Sequence, residues 1–377
     1  MPECDNPLWP CAMTGAAACL AGISGISVVI HGSSGCYYYP ATLLHAPLHG
    51  TFILEKEVIF GSEDRLAEVI GELTGAGTRI AVITTCVPAI LGEDVRSMLA
   101  RHDVLLVDSP GFAGDAEAGY ARALAALGPQ ADPDAAGVNI DGACLLDPFS
   151  RGNVQEVTRM LGLAGVPVRT VLCDDTLANL GHAAPFTVGT NADYRGSTGT
   201  FLGGMLGFAR IRETFDRLSK ALPDADPSAV LDEADLQEER LVRACDKYLQ
   251  RFDPPSVAIF AGAAYAEFAA ATLENYLDAE VCCIGLRNHG EIRYPSEYAG
   301  SLLRVRAMIE AHDPDLVLGS SFERSVSGDR GFVGLIPPLR GEVRLAPRPV
   351  AGISGTLSFM EDVLNTCMDS KNRRPSA

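Results

Sequence analysis

Three cysteines early in the chain sit where a backbone turn can present a thiolate. Cys11 follows Pro10 at the opening of a Gly/Ala-rich helical stretch, Cys36 closes HGSSGC, and Cys86 directly follows the apolar run IAVITT. A cysteine just past a strand, at the start of a helix, has its thiolate favoured by unpaired backbone amides and the helix dipole. Such a thiolate suits iron. Taken singly, each reads first as a small buried hydrophobe, the commonest fate of a free cysteine. Cys4, Cys144, Cys173, Cys245, Cys282, Cys283 and Cys367 keep that plainer reading, because they lie in strands, helices or near termini without glycine-rich support; Cys19 stays between the two. Short zinc spacings are missing, since Cys282 and Cys283 are adjacent and no CxxC occurs, so metal ligands would have to converge from distant loops. His31, after an apolar run, reads as a satisfied structural group rather than a ligand or proton donor. Gly32, Gly35 and Gly92 read as positions of special backbone conformation or close approach.

The elements that must position these residues are legible as alternating patterns. Strand-length apolar runs occur at Ile80–Thr85, Val104–Asp108, Ala143–Leu146, Val168–Cys173, Val257–Ala261, Val281–Leu286 and Leu316–Gly319. Amphipathic stretches lie between them at Glu63–Leu73, Glu93–Arg101, Asn153–Leu163, Tyr265–Leu277 and Ser301–Ala311. This alternation predicts an α/β protein of successive Rossmann-like parallel sheets with helices on both faces, closed by a C-terminal helix. Ligands of such sheets bind at the carboxyl ends of the strands. The stretch Gly128–Gly137 reads as a linker, and Leu222–Ser228 as a loop before a long charged helix over Ala229–Gln250. The resulting division is 1–136, 137–252 and 253–345 as three αβ domains, then 346–377 as helix and a frayed polar tail.

Composition narrows the function. A chain of 377 residues, 47% hydrophobic, exceeds what one core usually holds. A net charge of −18 lacks the basic footprint of a nucleic-acid binder. Residues 6–54 carry no Asp, Glu, Lys or Arg, yet glycines and serines interrupt the apolar run and acidic residues flank it, so a membrane span or signal peptide is not expected. The stretch instead suits a core, a subunit interface or a buried cofactor. Eleven cysteines without a secretory signal predict reduced thiols and a cytoplasmic setting.

Five segments then occur in a telling order: NPLWPCAMTGA, HGSSGCYYYP, VIFGSEDRL, VITTCVPAILGEDV and VDSPGFAGDAEAGY, followed by PFSRGN, LVLGSSFER and GISGTLSFMEDVLN. Over nearly its whole length the chain resembles the nitrogenase component 1 superfamily, and its β-type subunits most. The resemblance implies that Cys11, Cys36 and Cys86 bind an iron–sulfur cluster, [4Fe-4S] or larger, shared at the interface of a homodimer or with a paralogous subunit. It implies that Phe60 is the aromatic on which an ATP-dependent iron-protein reductase docks. The segments APFTVGTNADYRGS and PVAGISGT, which stand where the iron–molybdenum cofactor ligands are expected, contain neither Cys nor His, so this chain lacks that ligand pair. An interdomain pocket is then open to another substrate, with Tyr194, Arg195, Glu323 and Arg324 as candidate lining residues. Relatives of this kind imply tetrapyrrole reduction; a scaffold for metal-cofactor assembly, or half of a heteromeric reductase of small sulfur or nitrogen compounds, are the alternatives.

Overall fold

The computed structural model describes residues 8–373. Three parallel sheets follow one another along the chain. The first joins β1 (Ile26–His31), β2 (His49–Gly50), β3 (Arg79–Thr84) and β4 (Val104–Asp108) in the order β2-β1-β3-β4. Its helices are α1 (Ala12–Ala21), α2 (Ser34–Leu44), α3 (Glu55–Phe60), α4 (Glu63–Leu73), α5 (Cys86–Leu91), α6 (Val95–Leu99) and α7 (Ala116–Leu127). The second sheet joins β5 (Val138–Asp141), β6 (Val168–Val171), β7 (Phe186–Gly189) and β8 (Thr200–Gly204) in the order β6-β5-β7-β8, with α8 (Ser150–Leu163), α9 (Leu177–Leu180), α10 (Phe208–Ala221) and α11 (Ser228–Leu249). The third joins β9 (Ser256–Ala261), β10 (Glu280–Leu286), β11 (Glu297–Tyr298), β12 (Leu316–Gly319) and β13 (Gly331–Gly334) in the order β11-β10-β9-β12-β13, with α12 (Ala263–Leu277), α13 (Leu302–His312) and α14 (Ser321–Val326). The long α15 (Gly352–Arg373) closes the chain.

Strand periodicity explains the layers, since alternate side chains face opposite sides of a sheet. On β1 and β3, Val28, Ile30, Ala81 and Ile83 join the main core, whereas Val29, Ile80 and Val82 pack under Leu66, Ile70 and Leu99 of α4 and α6. The third sheet repeats the pattern: Val257, Ile259, Leu316 and Leu318 face the main core, and Ala258, Phe260 and Val317 face α13. Two expectations are corrected. The run Ala143–Leu146 is a loop; the strand precedes it at Val138–Asp141, where Asn139 and Asp141 interrupted the apolar pattern but are buried with their polar atoms satisfied. The C-terminal helix continues through Arg373 rather than fraying after Met368. Cys4 and residues 374–377 lie outside the described residues.

The first half of the charge-free segment is core, whereas α2 is largely exposed or half-buried. In α1 every residue from Ala12 to Leu20 is buried, and the helix crosses α7 so closely that a Cβ on Gly15 would lie 1.7 Å from the carbonyl oxygen of Ala116, and one on Gly119 would lie 1.7 Å from that of Ala12. Only glycine permits backbones this near. Ala12 N–H donates to Gly114 O at 3.0 Å, so the start of α1 is bonded to the turn preceding α7.

Where the three sheets meet, a buried polar network replaces apolar packing. Trp9 Nε1 donates to both carboxyl oxygens of Glu117 at 3.0 Å, and Asn288 Nδ2 donates to the same group at 3.2 Å. Asp193 accepts from the Ala264 amide at 3.1 Å, while Asp147 accepts from Tyr265 Oη at 2.6 Å and from Asn191 Nδ2 at 3.3 Å. Asn153 donates to Tyr265 and accepts from the Val350 and Ala351 amides. Burial, reinforced by the neighbouring Asp193, pushes the Glu117 carboxyl up to about 8; burial likewise pushes Asp193 up to about 6.

Two outcomes are expected. Gly119→Val should lower the unfolding free energy by at least the ~1–3 kcal/mol typical of overpacking, a large share of the roughly 5–15 kcal/mol by which folded domains are stable; an unchanged denaturation midpoint would contradict the close crossing. Glu117 binds a proton in the folded chain between its ordinary value of 4.5 and about pH 8, where the unfolded chain has released it. Its stabilising contribution is therefore complete at low pH and lost as pH rises through this window. The stability difference between wild type and Glu117→Gln should change by up to about 1.4 kcal/mol per pH unit there and flatten outside it. A difference independent of pH would mean that the carboxyl is ionised in the fold.

Candidate functional site

Each of the three cysteines stands at a helix start: Cys11 is the residue before α1, Cys36 is the third residue of α2, and Cys86 is the first of α5. All three are partly exposed. Cys11 and Cys86 come together around Gly111, where an added Cβ would lie 3.2 Å from the Cys11 Sγ and 3.1 Å from the Cys86 Sγ. The Gly111 amide donates to Cys86 Sγ at 3.2 Å. Cys36 stands apart on α2, its sulfur 3.7 Å from Ser33 Oγ. Among the described residues no three Cys, His, Asp or Glu side chains converge on a point that could hold a single metal ion. An iron–sulfur cluster makes a different demand, since it spreads its thiolate ligands over several iron atoms. Thiols at helix starts, one already accepting an amide hydrogen bond, form a donor set that fits such a group.

His31 braces this region. It is fully buried at the end of β1; its Nδ1 lies 3.2 Å from Thr51 Oγ1 and its Nε2 3.2 Å from Ser62 Oγ. Because the Ser62 hydroxyl donates to Glu93 Oε2 at 2.6 Å, it must accept from Nε2–H; in the neutral ring Nδ1 is then the acceptor from Thr51. Burial, which lowers the histidine below its usual value, favours the same form. Thr51 also accepts the Gly32 amide, and a Cβ on Gly32 would lie 1.9 Å from Thr85 Oγ1. The imidazole thus joins Thr51 to Ser62, after Phe60, and through Ser62 to Glu93 beyond α5, while the His31 carbonyl accepts the amide of Thr85, the residue before Cys86, at 3.2 Å. Gly92 ends α5 in the left-handed conformation with φ 71°. Gly35 departs from expectation: it lies inside α2 with nothing within 4 Å of where a Cβ would stand, and this chain alone gives no reason for it.

Phe60 ends α3, a helix with no buried residue, and is 81% exposed beside Ile59. Ile90 and Leu91, at the end of α5, are exposed as well, as are Tyr38, Tyr39 and Phe112 near the cysteines. Exposed apolar side chains on several helix ends of one unit are candidates for a surface that another molecule covers.

A separate cavity of about 500 Å³ opens at the carboxyl ends of β5, β7 and β8, where α12 of the third unit faces the second sheet. Phe201, Phe208 and Phe268 line it together with Arg195, Arg210 and Arg293, and none of its lining residues is Cys or His. Arg195 lies over the Phe201 ring with Cζ 3.9 Å from the centroid. Arg293 is paired with Glu267 and Arg210 with Glu213. Tyr194 is buried instead against Tyr120, ring centroids 5.3 Å apart. Glu323 is buried too, paired with Arg287 and capping α14 through Ser320. Arg324 lies on the surface by Phe332. The cavity-lining Arg210 and Arg293 have no sequence signal, because α10 and the loop between β10 and β11 look like ordinary polar surface.

The family model for nitrogenase component 1 type oxidoreductases matches residues 11–368. The nitrogenase molybdenum-iron protein beta chain of Methanococcus maripaludis is 22% identical, over 97% of this chain and 94% of its own length. The nitrogenase iron-molybdenum cofactor biosynthesis protein NifE of Clostridium pasteurianum is 29% identical, but over 44% of this chain and 40% of its own length. The solved structure of nitrogenase Cp1 at pH 6.5 superposes with a TM-score of 0.83 at 16% identity, covering 98% of this chain and 94% of that one, a likeness of fold. With its three sheets, its C-terminal helix and a family match from Cys11 to Met368 within that helix, the chain belongs to the nitrogenase component 1 type oxidoreductases.

Proposed function

We propose that this chain is the electron-accepting component of a two-component reductase, with an ATP-dependent iron protein as its donor and an organic substrate, of tetrapyrrole type, in the cavity beside Arg195. The observation that carries the reading is a set of three partly exposed helix-start thiols in the unit where His31 links the residue before Cys86 to the Ser62 turn beside the exposed Phe60. Cys11, Cys36 and Cys86 would hold the iron–sulfur cluster, which when bound supplies one-electron transfer at low potential. The exposed Tyr38, Tyr39 and Phe112 beside these cysteines support a second subunit covering them, in a homodimer or with a paralogous chain. Ser62, bonded to Glu93 and His31, holds the Phe60 turn in place, so a docked partner meets a rigid surface. In the cavity the phenylalanines provide an apolar wall for a flat ligand, and Arg195 can pair with an acidic substituent.

A second reading, assembly of a metal cofactor for transfer, is supported by the likeness to proteins named for iron-molybdenum cofactor biosynthesis, NifE and NifN. The absence of Cys and His from the cavity lining weighs against a cofactor held there by this chain's own side chains.

Anaerobically isolated protein should contain about two or four irons per chain with matching acid-labile sulfide, and Cys86→Ala should lose most of both. Iron-free protein after reconstitution would refute the cluster. Phe60→Ala should weaken binding of the iron protein tenfold or more, as loss of a central aromatic anchor does, while leaving iron content unchanged. A protein that transfers no electrons yet passes a further metal cluster to an acceptor would replace the first reading with the second.

A further inference from the structure

The first and second sheets meet along a seam in which two thiols lie in contact. Cys19, near the end of α1, and Cys173, two residues beyond β6, have Sγ atoms 2.9 Å apart, and both are buried. A disulfide bond measures about 2.05 Å, so closing this pair asks for less than about 1 Å of movement. The flanking backbones are already locked. A Cβ on Gly22 would lie 2.0 Å from the Cys173 carbonyl oxygen, Ser24 N–H donates to Asp175 O at 2.8 Å, and Leu177 N–H donates to Ser24 O at 3.0 Å. Cys173 itself is held at φ 64°, a left-handed conformation that few residues other than glycine adopt and that marks a position determined by its surroundings.

We infer that Cys19 and Cys173 are an oxidation site at which hydrogen peroxide forms a disulfide, stapling the helix that begins at Cys11 to the second sheet. One sulfur attacks a peroxide oxygen; the O–O bond breaks, water leaves and a sulfenic acid remains. The second sulfur attacks the first, the S–O bond breaks and a second water leaves with the thiol protons. The two sulfurs together lose two electrons and peroxide gains two. Peroxide is small and uncharged, so it can enter a dry seam that excludes larger disulfide reagents. Burial pushes the Cys19 thiol well up, so the reaction is slow and waits on local opening.

The test is peptide mapping of the full chain after peroxide treatment, denaturation and alkylation. Trypsin finds no Lys or Arg between residues 6 and 54, so Cys19 leaves in one peptide with Cys4, Cys11 and Cys36, whereas Cys173 is the single cysteine of residues 170–195. The expected result is a cross-link between these two peptides, placed on Cys19 by fragmentation, absent from Cys19→Ser and Cys173→Ser, and accompanied by a higher unfolding midpoint in the wild type alone. Cys173 recovered as a free alkylated thiol, while Cys86 or Cys11 has been oxidised in the same sample, would overturn the inference. So would a cross-link that persists in Cys19→Ser.

Discussion

The arrangement of the cysteines depends on the contact between α1 and α7. These helices touch through backbone at Gly15 and Gly119, and the contact places the residue before α1 against the turn before α7. Cys11 is the first of those positions, and Gly111 opens the turn of the second. Cys86 then arrives from β3 and accepts the Gly111 amide. A bulkier residue at either crossing glycine would separate the helices and move Cys11 away from Cys86. The alanine-rich, charge-free sequence of this region is a requirement of close approach rather than of membrane insertion.

A second constraint acts where the sheets converge. Glu117 from the first, Asp147 and Asp193 from the second, and Asn288 and Tyr265 from the third share one set of buried hydrogen bonds. Buried polar groups are costly unless paired, so each sheet is held in register by groups that the others must satisfy. Retained protons on Glu117 lessen the charge that this junction would otherwise concentrate. Asn191 both belongs to the network and lines the cavity, so the cavity's polar wall is fixed by all three units.

The helix-start thiols and the exposed Phe60 edge lie on the first unit, while the cavity lies between the second and third. His31 supplies the rigidity on the first side: an imidazole with both nitrogens engaged, kept neutral by burial, joins Thr51 to the Ser62–Glu93 pair. Arg195, stacked on Phe201 in the lining of a largely apolar cavity, supplies the counterpart on the other.

Parallel α/β architecture was legible in the sequence because buried parallel strands are continuous apolar runs bounded by turn residues, and the placement of Cys11, Cys36 and Cys86 at helix starts was legible because turn glycines, a proline or a strand end sit beside each. Strands carrying polar residues were not: β5 contains Asn139 and Asp141, whose partners Ala184 and Gly196 lie in distant segments. The roles of Tyr194 and Glu323 were hidden for the same reason, since burial against Tyr120 and pairing with Arg287 are made by residues far away in the chain. The contact of Cys19 with Cys173 spans 154 positions. Local sequence determines which residues can end a strand, start a helix or bind iron; which of them share a site is decided by the packing of one sheet on another, because that packing alone sets distances between segments remote in sequence.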